Sequence, residues 1–183
     1  MSFGKFLSDL SADFARHTDP GMSAAARVQE LVTSQGVWAT TVYRYGQWVY
    51  SGQRTPLGIP ARVAYKVAQK TIEVTTGICM PASVKAGPGF YIGHFGAIIV
   101  HPDTQFGQGC SIGQGVTLGT RGQGDKGVPV LGDNVYVGAG AKVLGGIHLG
   151  DNVSVGANAV VVKDVPTDHV AVGVPAKIKP RKK

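Results

Sequence analysis

The stretch Phe106-Gly107-Gln108-Gly109-Cys110-Ser111-Ile112-Gly113-Gln114-Gly115-Val116-Thr117-Leu118-Gly119 decides the reading of this chain. An apolar residue recurs at every sixth position, 106, 112 and 118, and a glycine follows each. Val100 precedes them on the same spacing, and after a break Leu131, Val137, Val143, Leu149, Val155 and Val161 resume it. Glycine follows again at 132, 138, 150 and 156. Four places after the rungs stand small or β-branched residues: Thr104, Cys110, Val116, Val135, Ala141, Val153 and Ala159. Met80, Ala86 and Ile92 extend the ladder backwards, with two extra residues before Val100. A fixed short period defines an architecture before any motif does.

Each hexad makes a short strand and a corner, with the rung pointing inward. The glycine after it is expected to take a backbone angle that a side chain would oppose. Three hexads close one triangular turn, and turns stack at the strand spacing of about 4.8 Å. Neighbouring turns then satisfy each other's backbone hydrogen bonds. The period does not give the handedness.

Composition places a boundary near Thr76 and Gly77. Residues 1–76 hold nine of the 14 aromatic residues but only six of the 27 glycines. Phe3, Phe6, Leu7, Leu10 and Phe14 follow helical spacing and predict one apolar stripe. Asp19-Pro20-Gly21 reads as a turn. A second helix is expected over 23–33, with Ser23 as cap and Gly36 as terminator. Two more are expected over 37–50 and 57–74, separated by Ser51-Gly52, with Pro60 in the first turn of the latter. Trp38, Tyr43, Tyr45, Trp48 and Tyr50 have few basic neighbours, so they read as core and not as a base-stacking platform.

The composition also excludes several classes. At 43% apolar the chain is too hydrophobic for a disordered linker. No apolar run reaches the length of a membrane-spanning helix. The first twenty residues lack a signal-peptide core, and two cysteines make no disulfide framework, so a cytoplasmic setting is expected.

The hexads, followed by Gly173-Val174-Pro175-Ala176-Lys177, resemble the hexapeptide-repeat acyltransferases. Within them the chain is most similar to serine O-acetyltransferases and related O-acetyltransferases of polysaccharide pathways. Gly93-His94-Phe95-Gly96, Gln114-Gly115-Val116-Thr117-Leu118-Gly119 and Val137-Gly138-Ala139-Gly140-Ala141-Lys142 carry the likeness. It implies a mainly β fold, a left-handed parallel β-helix over 77–170 with an N-terminal α-helical cap (1–76) and a basic tail (171–183). It also implies a homotrimer, with acetyl-CoA bound between neighbouring subunits and no metal, nucleic acid or membrane span.

Acetyl transfer from a thioester to an alcohol needs a base near neutrality, an N–H donor for the developing oxyanion, and two substrates held together. His94 falls in the hexad lengthened by two residues and matches the histidine that similar enzymes use to activate the acceptor hydroxyl. His101 takes a place usual for glycine and is expected, with Asp19 and Tyr91, on the acceptor side. Gly119, Thr120, Ala139, Lys142, Ala157 and Lys177 are expected along the cofactor. The break over 120–130 reads as an active-site flap or an inert surface loop. The tail holds five basic residues in its last seven. It is expected to touch nothing beyond Pro180.

The chain departs from the serine enzymes. Their histidine pairs with an aspartate fifteen residues earlier, where this chain has Cys79, so activation through a backbone carbonyl is the expected substitute. The aspartate before the histidine is replaced by Gly93, and an arginine–histidine pair by Gly127-Val128. Each lost charge-assisted hydrogen bond removes about 1.5–3 kcal/mol. The expected acceptor is therefore a sugar or saccharide hydroxyl, with serine, in cysteine biosynthesis, as the alternative. Three further readings compete: a three-histidine metal centre, a cysteine nucleophile at Cys79 or Cys110, and a non-catalytic scaffold. His94 and His101 stand seven apart, where the metal reading needs two histidines five apart.

Overall fold

Apolar rungs six residues apart can all point inward only if the chain turns a corner in every hexad. The computed structural model describes residues 1–19, 21–51 and 58–181, and shows such a three-sided coil from Ile78 onward. The first turn of the coil is β1 (Ile78–Cys79), β2 (Lys85–Ala86) and β3 (Tyr91–Ile92). The second is β4 (Ile98–Val100), β5 (Gln105–Phe106) and β6 (Ser111–Ile112). The third is β7 (Thr117–Gly119), β8 (Val130–Leu131) and β9 (Tyr136–Val137). The fourth is β10 (Lys142–Leu144), β11 (His148–Leu149) and β12 (Ser154–Val155). After β13 (Val160–Val161) and β14 (His169–Val172), β15 (Lys177–Pro180) doubles back antiparallel on β14. Equivalent strands pair in parallel into three faces: sheet A (β1-β4-β7-β10-β13), sheet B (β2-β5-β8-β11) and sheet C (β3-β6-β9-β12-β14).

The rungs from Val100 to Val161 are all buried, as are the residues four places on, from Thr104 to Ala159. Register keeps them stacked: Leu118 lies between Val100 and Val143.

The glycine after each rung has a different reason from the expected one. Positive φ falls two residues later, at Gly109 (+67°), Asn134 (+55°) and Asn152 (+57°) among others. The post-rung glycines other than Gly119 are needed because consecutive coils nearly touch there. A β-carbon at Gly113 would lie 2.8 Å from Ala139 N, and one at Gly138 would lie 2.8 Å from Ala157 N.

Four helices precede the coil: α1 (Phe3–Ala15), α2 (Ala24–Thr33), α3 (Gln35–Tyr50) and α4 (Gly58–Thr76). Ser23 caps α2 as expected, its Oγ accepting from Ala26 N–H at 3.2 Å. Gly36 does not terminate that helix; it lies inside α3, against the Ile92 carbonyl, where a side chain has no room. Pro20, Gly52, Leu57, Lys182 and Lys183, which the sequence reading placed in turns, a helix and the tail, lie outside the described residues.

The apolar stripe of α1 is not its buried face: Phe3 is 54% and Leu7 48% exposed, whereas Asp9 and Asp13 are buried. The reason is Arg44 of α3, fully buried, whose guanidinium donates to Asp13 at 2.7 and 3.1 Å. It also donates to the Ala86 and Gly87 carbonyls at 2.8 and 2.6 Å. Asp13 accepts from Phe90 N–H at 2.8 Å. This one ionic knot ties α1, α3 and the first coil together. Of the aromatics read as core, only Tyr43 is fully buried, while Trp38 and Tyr50 are exposed. Among the described residues no helix is long and apolar enough to cross a membrane.

Removing one member of a buried ion pair strands the other charge. Arg44→Ala is expected to lower the unfolding free energy by about 3–5 kcal/mol in urea titrations. A loss below about 1 kcal/mol contradicts the knot.

Candidate active site

The sequence-predicted residues divide between the two corners that flank sheet A. At the C–A corner the chain crosses from sheet C to sheet A through residues 93–97, 113–116, 138–141 and 156–159. Main-chain bonds staple these turns: Gly115 N–H donates to Gly96 O (2.8 Å), Gly140 N–H to Gln114 O (2.7 Å) and Asn158 N–H to Ala139 O (2.8 Å). His94, Ala139 and Ala157 share this corner, which spans three strand spacings, about 14 Å.

The turn holding His94 is the longer one. Ile78 pairs with Ile98, twenty residues on, whereas Ile99 pairs with Thr117, eighteen on. Gly96 (φ +106°) and Ala97 (φ +50°) accommodate the excess, and Gly96 N–H donates to Thr76 O at the end of α4 (2.8 Å). His94 and Phe95 project into solvent. Neither ring nitrogen of His94 has a partner among the described residues, so the expected backbone carbonyl does not orient it. At the foot of the corner, Val160 N–H donates to Gly173 O and Ala176 N–H to Val160 O, leading to exposed Lys177.

His101, Gly119 and Thr120 lie at the other, A–B corner. His101 N–H donates to Leu118 O (2.9 Å), and its Nδ1 accepts from Asp103 N–H at 3.2 Å. The loop from Thr120 lies down along this corner: Arg121 donates to Val162 O (2.6 Å) and Leu144 O (3.4 Å). Asp125 accepts from the N–H groups of Arg121 (3.2 Å) and Gly127 (2.9 Å), and these bonds hold its carboxyl below the usual range. Lys142 lies on sheet A between the corners, its ammonium donating to Gly115 O (2.6 Å) and Thr117 Oγ1 (3.0 Å).

On the acceptor side, Asp19 is exposed in the turn after α1, and Tyr91 faces outward from sheet C. Sequence reasoning missed His17, which is 8% exposed and stacks on Tyr91 with 4.5 Å between ring centroids. No local signal links residues so far apart in the chain. His17 Nε2 is buried without a partner among the described residues, which costs about 1–3 kcal/mol. Burial, then the Arg16 charge, pushes His17 down to about 4.

The cysteines are poor nucleophiles. Burial pushes Cys110 up to about 11, and its thiol donates to Gly132 O at 3.2 Å. Burial and Glu73, 3.8 Å from its sulfur, raise Cys79 as well. A thiol held protonated at neutral pH does not attack a thioester. His94 and His101 stand at opposite edges of sheet A, and no group of three or more metal-binding side chains gathers among the described residues.

Comparison with known proteins defines the class. The family model for bacterial transferase hexapeptide (six repeats) matches residues 129–163. The chain is 36% identical over 170 residues to a serine acetyltransferase of Synechococcus elongatus, covering 92% of this chain and 67% of that protein. It is 36% identical over 175 residues to one from Helicobacter pylori, covering 93% and 96%. The crystal structure of the Neisseria gonorrhoeae serine acetyltransferase superposes with a TM-score of 0.81 at 28% identity, covering 100% of this chain and 69% of that one. A serine acetyltransferase in complex with CoA superposes at 0.79 with 28% identity, covering 97% and 71%. The protein is thus a hexapeptide-repeat acyltransferase. Within that class it belongs to the serine acetyltransferase family.

These relatives overturn the expectation of a sugar acceptor. That expectation counted missing charged side chains at Cys79, Gly93, Gly127 and Val128. Such a count registers only missing side chains and leaves out main-chain donors and acceptors.

His17 has a lowered pKa in the folded state, so between pH 6.5 and about 4 the unfolded chain binds more protons. Its contribution is complete above about pH 6.5 and is lost as the pH falls to about 4, on the order of 2–3 kcal/mol. Urea unfolding at pH 7 and pH 4.5 is expected to show this loss, and His17→Phe to remove that part of the pH dependence.

Proposed function

We propose that the protein is a serine O-acetyltransferase, moving the acetyl group of acetyl-CoA to the serine hydroxyl with His94 as general base. The observation that carries the reading is the stacked C–A corner. An exposed imidazole without protein partners stands at its head, and small residues run below it. The N–H groups of Gln114, Ala139 and Ala157 donate to no protein atom among the described residues. They are free for the amides of the coenzyme's pantetheine arm, and Ala139 and Ala157 leave the backbone accessible. Lys177 at the foot suits the coenzyme's phosphates. Relatives described as complexes with CoA, serine and cysteine support both substrates.

A homotrimer of left-handed coils accounts for the two-corner division. In one chain Gly119, Thr120 and His101 are on the far edge of sheet A from His94. A neighbouring subunit would bring its A–B corner and loop against that groove, while Lys142 stiffens the sheet between them. In this reading residues 1–76 contribute Asp19, 77–170 the base and groove, and 171–183 Lys177.

His94 takes the proton as the serine Oγ forms its bond to the thioester carbon. A corner N–H faces the oxyanion of the tetrahedral intermediate. Collapse breaks the C–S bond, and the imidazolium returns the proton to the departing thiolate, leaving O-acetylserine and free CoA. Cys79 supplies no carboxylate to the imidazolium. Asp19 faces the serine ammonium, and Tyr91 walls the acceptor side.

In an assay of CoA thiol release with serine, His94→Ala is expected to lower kcat by about 10²–10⁴ and leave the acetyl-CoA KM nearly unchanged. A wild-type protein that turns over acetyl-CoA with a saccharide but not with serine ends the proposal.

A further inference from the structure

α1 ends against the outer surface of sheet C at the B–C corner, where residues 87–90 and 107–110 lead into β3 and β6. Arg16 spans two coils there: Nη1 donates to Gly109 O (3.0 Å) and Gly89 O (3.5 Å), and Nη2 to Ser111 Oγ (2.9 Å). Its guanidinium carbon is 5.9 Å from the Tyr91 ring centroid. His17 covers the same ring from its buried position. Tyr91 Cε1 in turn lies 3.4 Å from where a β-carbon would stand at Gly93, the residue before His94. Two residues beyond His17, the Asp19 turn closes with Met22 N–H donating to Asp19 O (3.1 Å).

One dipeptide therefore grips the strand that leads into the base and starts the turn that carries the acidic group. We infer that Arg16 and His17 are positioning residues for the acceptor side of the site. They clamp Tyr91 and hold the Asp19 turn at a set distance from His94. The inference rests on the roles proposed for His94 and Asp19. Arginine suits the task because its planar fork engages the Gly89 and Gly109 carbonyls through Nη1 and the Ser111 hydroxyl through Nη2 at once. The His17 ring fills the space between α1 and Tyr91 and leaves its own Nε2 unbonded. Acetyl transfer is sensitive to this geometry, since a misplacement of about 1 Å costs roughly 10²-fold. The groove over Ala139 and Ala157 lies further down the coil, so loosening the clamp acts on the acceptor and spares the donor.

Steady-state kinetics of Arg16→Ala, Ser111→Ala, His17→Ala and His17→Phe, each checked by thermal melting, tests this. Arg16→Ala and His17→Ala are expected to lower kcat/KM for serine by about 10- to 100-fold, with the acetyl-CoA KM within about twofold. His17→Phe, which restores a ring, recovers most of the His17→Ala loss, and Ser111→Ala shifts serine kinetics in the same direction by less. Equal losses for both substrates, or unchanged serine kinetics in folded Arg16→Ala and Ser111→Ala, overturn the clamp. Amide hydrogen exchange over 91–97 reads the clamp without any acceptor, so it stands apart from the serine reading. Faster exchange in Arg16→Ala is expected, and unchanged exchange overturns the inference.

Discussion

Consecutive coils of this protein approach so closely at each corner that main chain meets main chain. The space a β-carbon would need at Gly113 or Gly138 is taken by the backbone nitrogen of the next coil. Hydrogen bonds such as Gly107 N–H to Leu131 O and Gly132 N–H to Leu149 O then run up the stack without side-chain mediation. Interior rungs supply the hydrophobic drive, but the corner contact sets the register. Because register is fixed this way, a residue placed in one turn has a defined height relative to residues in the others. The alignment of His94, Ala139 and Ala157 along one edge is a product of that constraint.

In the proposed mechanism the general base stands where the repeat is broken. A regular coil presents the same small corner at every level and offers little to distinguish one level from another. Two interruptions change that: the lengthened turn at 93–97 and the loop between β7 and β8. The rungs on either side remain buried, so both excursions are carried outside an undisturbed core. On that proposal the rigid repeat holds position and the lengthened turn carries the base.

The repeat was legible because a period of six leaves its mark in the chain itself. Val100 to Val161 could be assigned to the interior, and the His94 turn and the 120–130 loop to breaks in phase, from spacing alone. The helical segment was harder to read. The stripe from Phe3 to Phe14 has good amphipathic spacing, yet α1 buries Asp9 and Asp13 because their partner is Arg44, a contact across helices that no local pattern records. The contact of His17 with Tyr91 was hidden for the same reason. The post-rung glycines were found but explained wrongly, since close approach and left-handed backbone both select glycine and only coordinates separate them. The acceptor was misjudged by treating absent side chains as absent recognition.

A solenoid has two ends, and each offers unpaired strand edges to any copy of itself. Here the helices close one end. At the other, β15 folds back on β14, and the Gly173–Ala176 segment exchanges hydrogen bonds with Val160 at the edge of sheet A. The C-terminal segment therefore occupies the backbone edges of β13 and β14 with main chain of the same molecule, so these two strands are not offered to another copy.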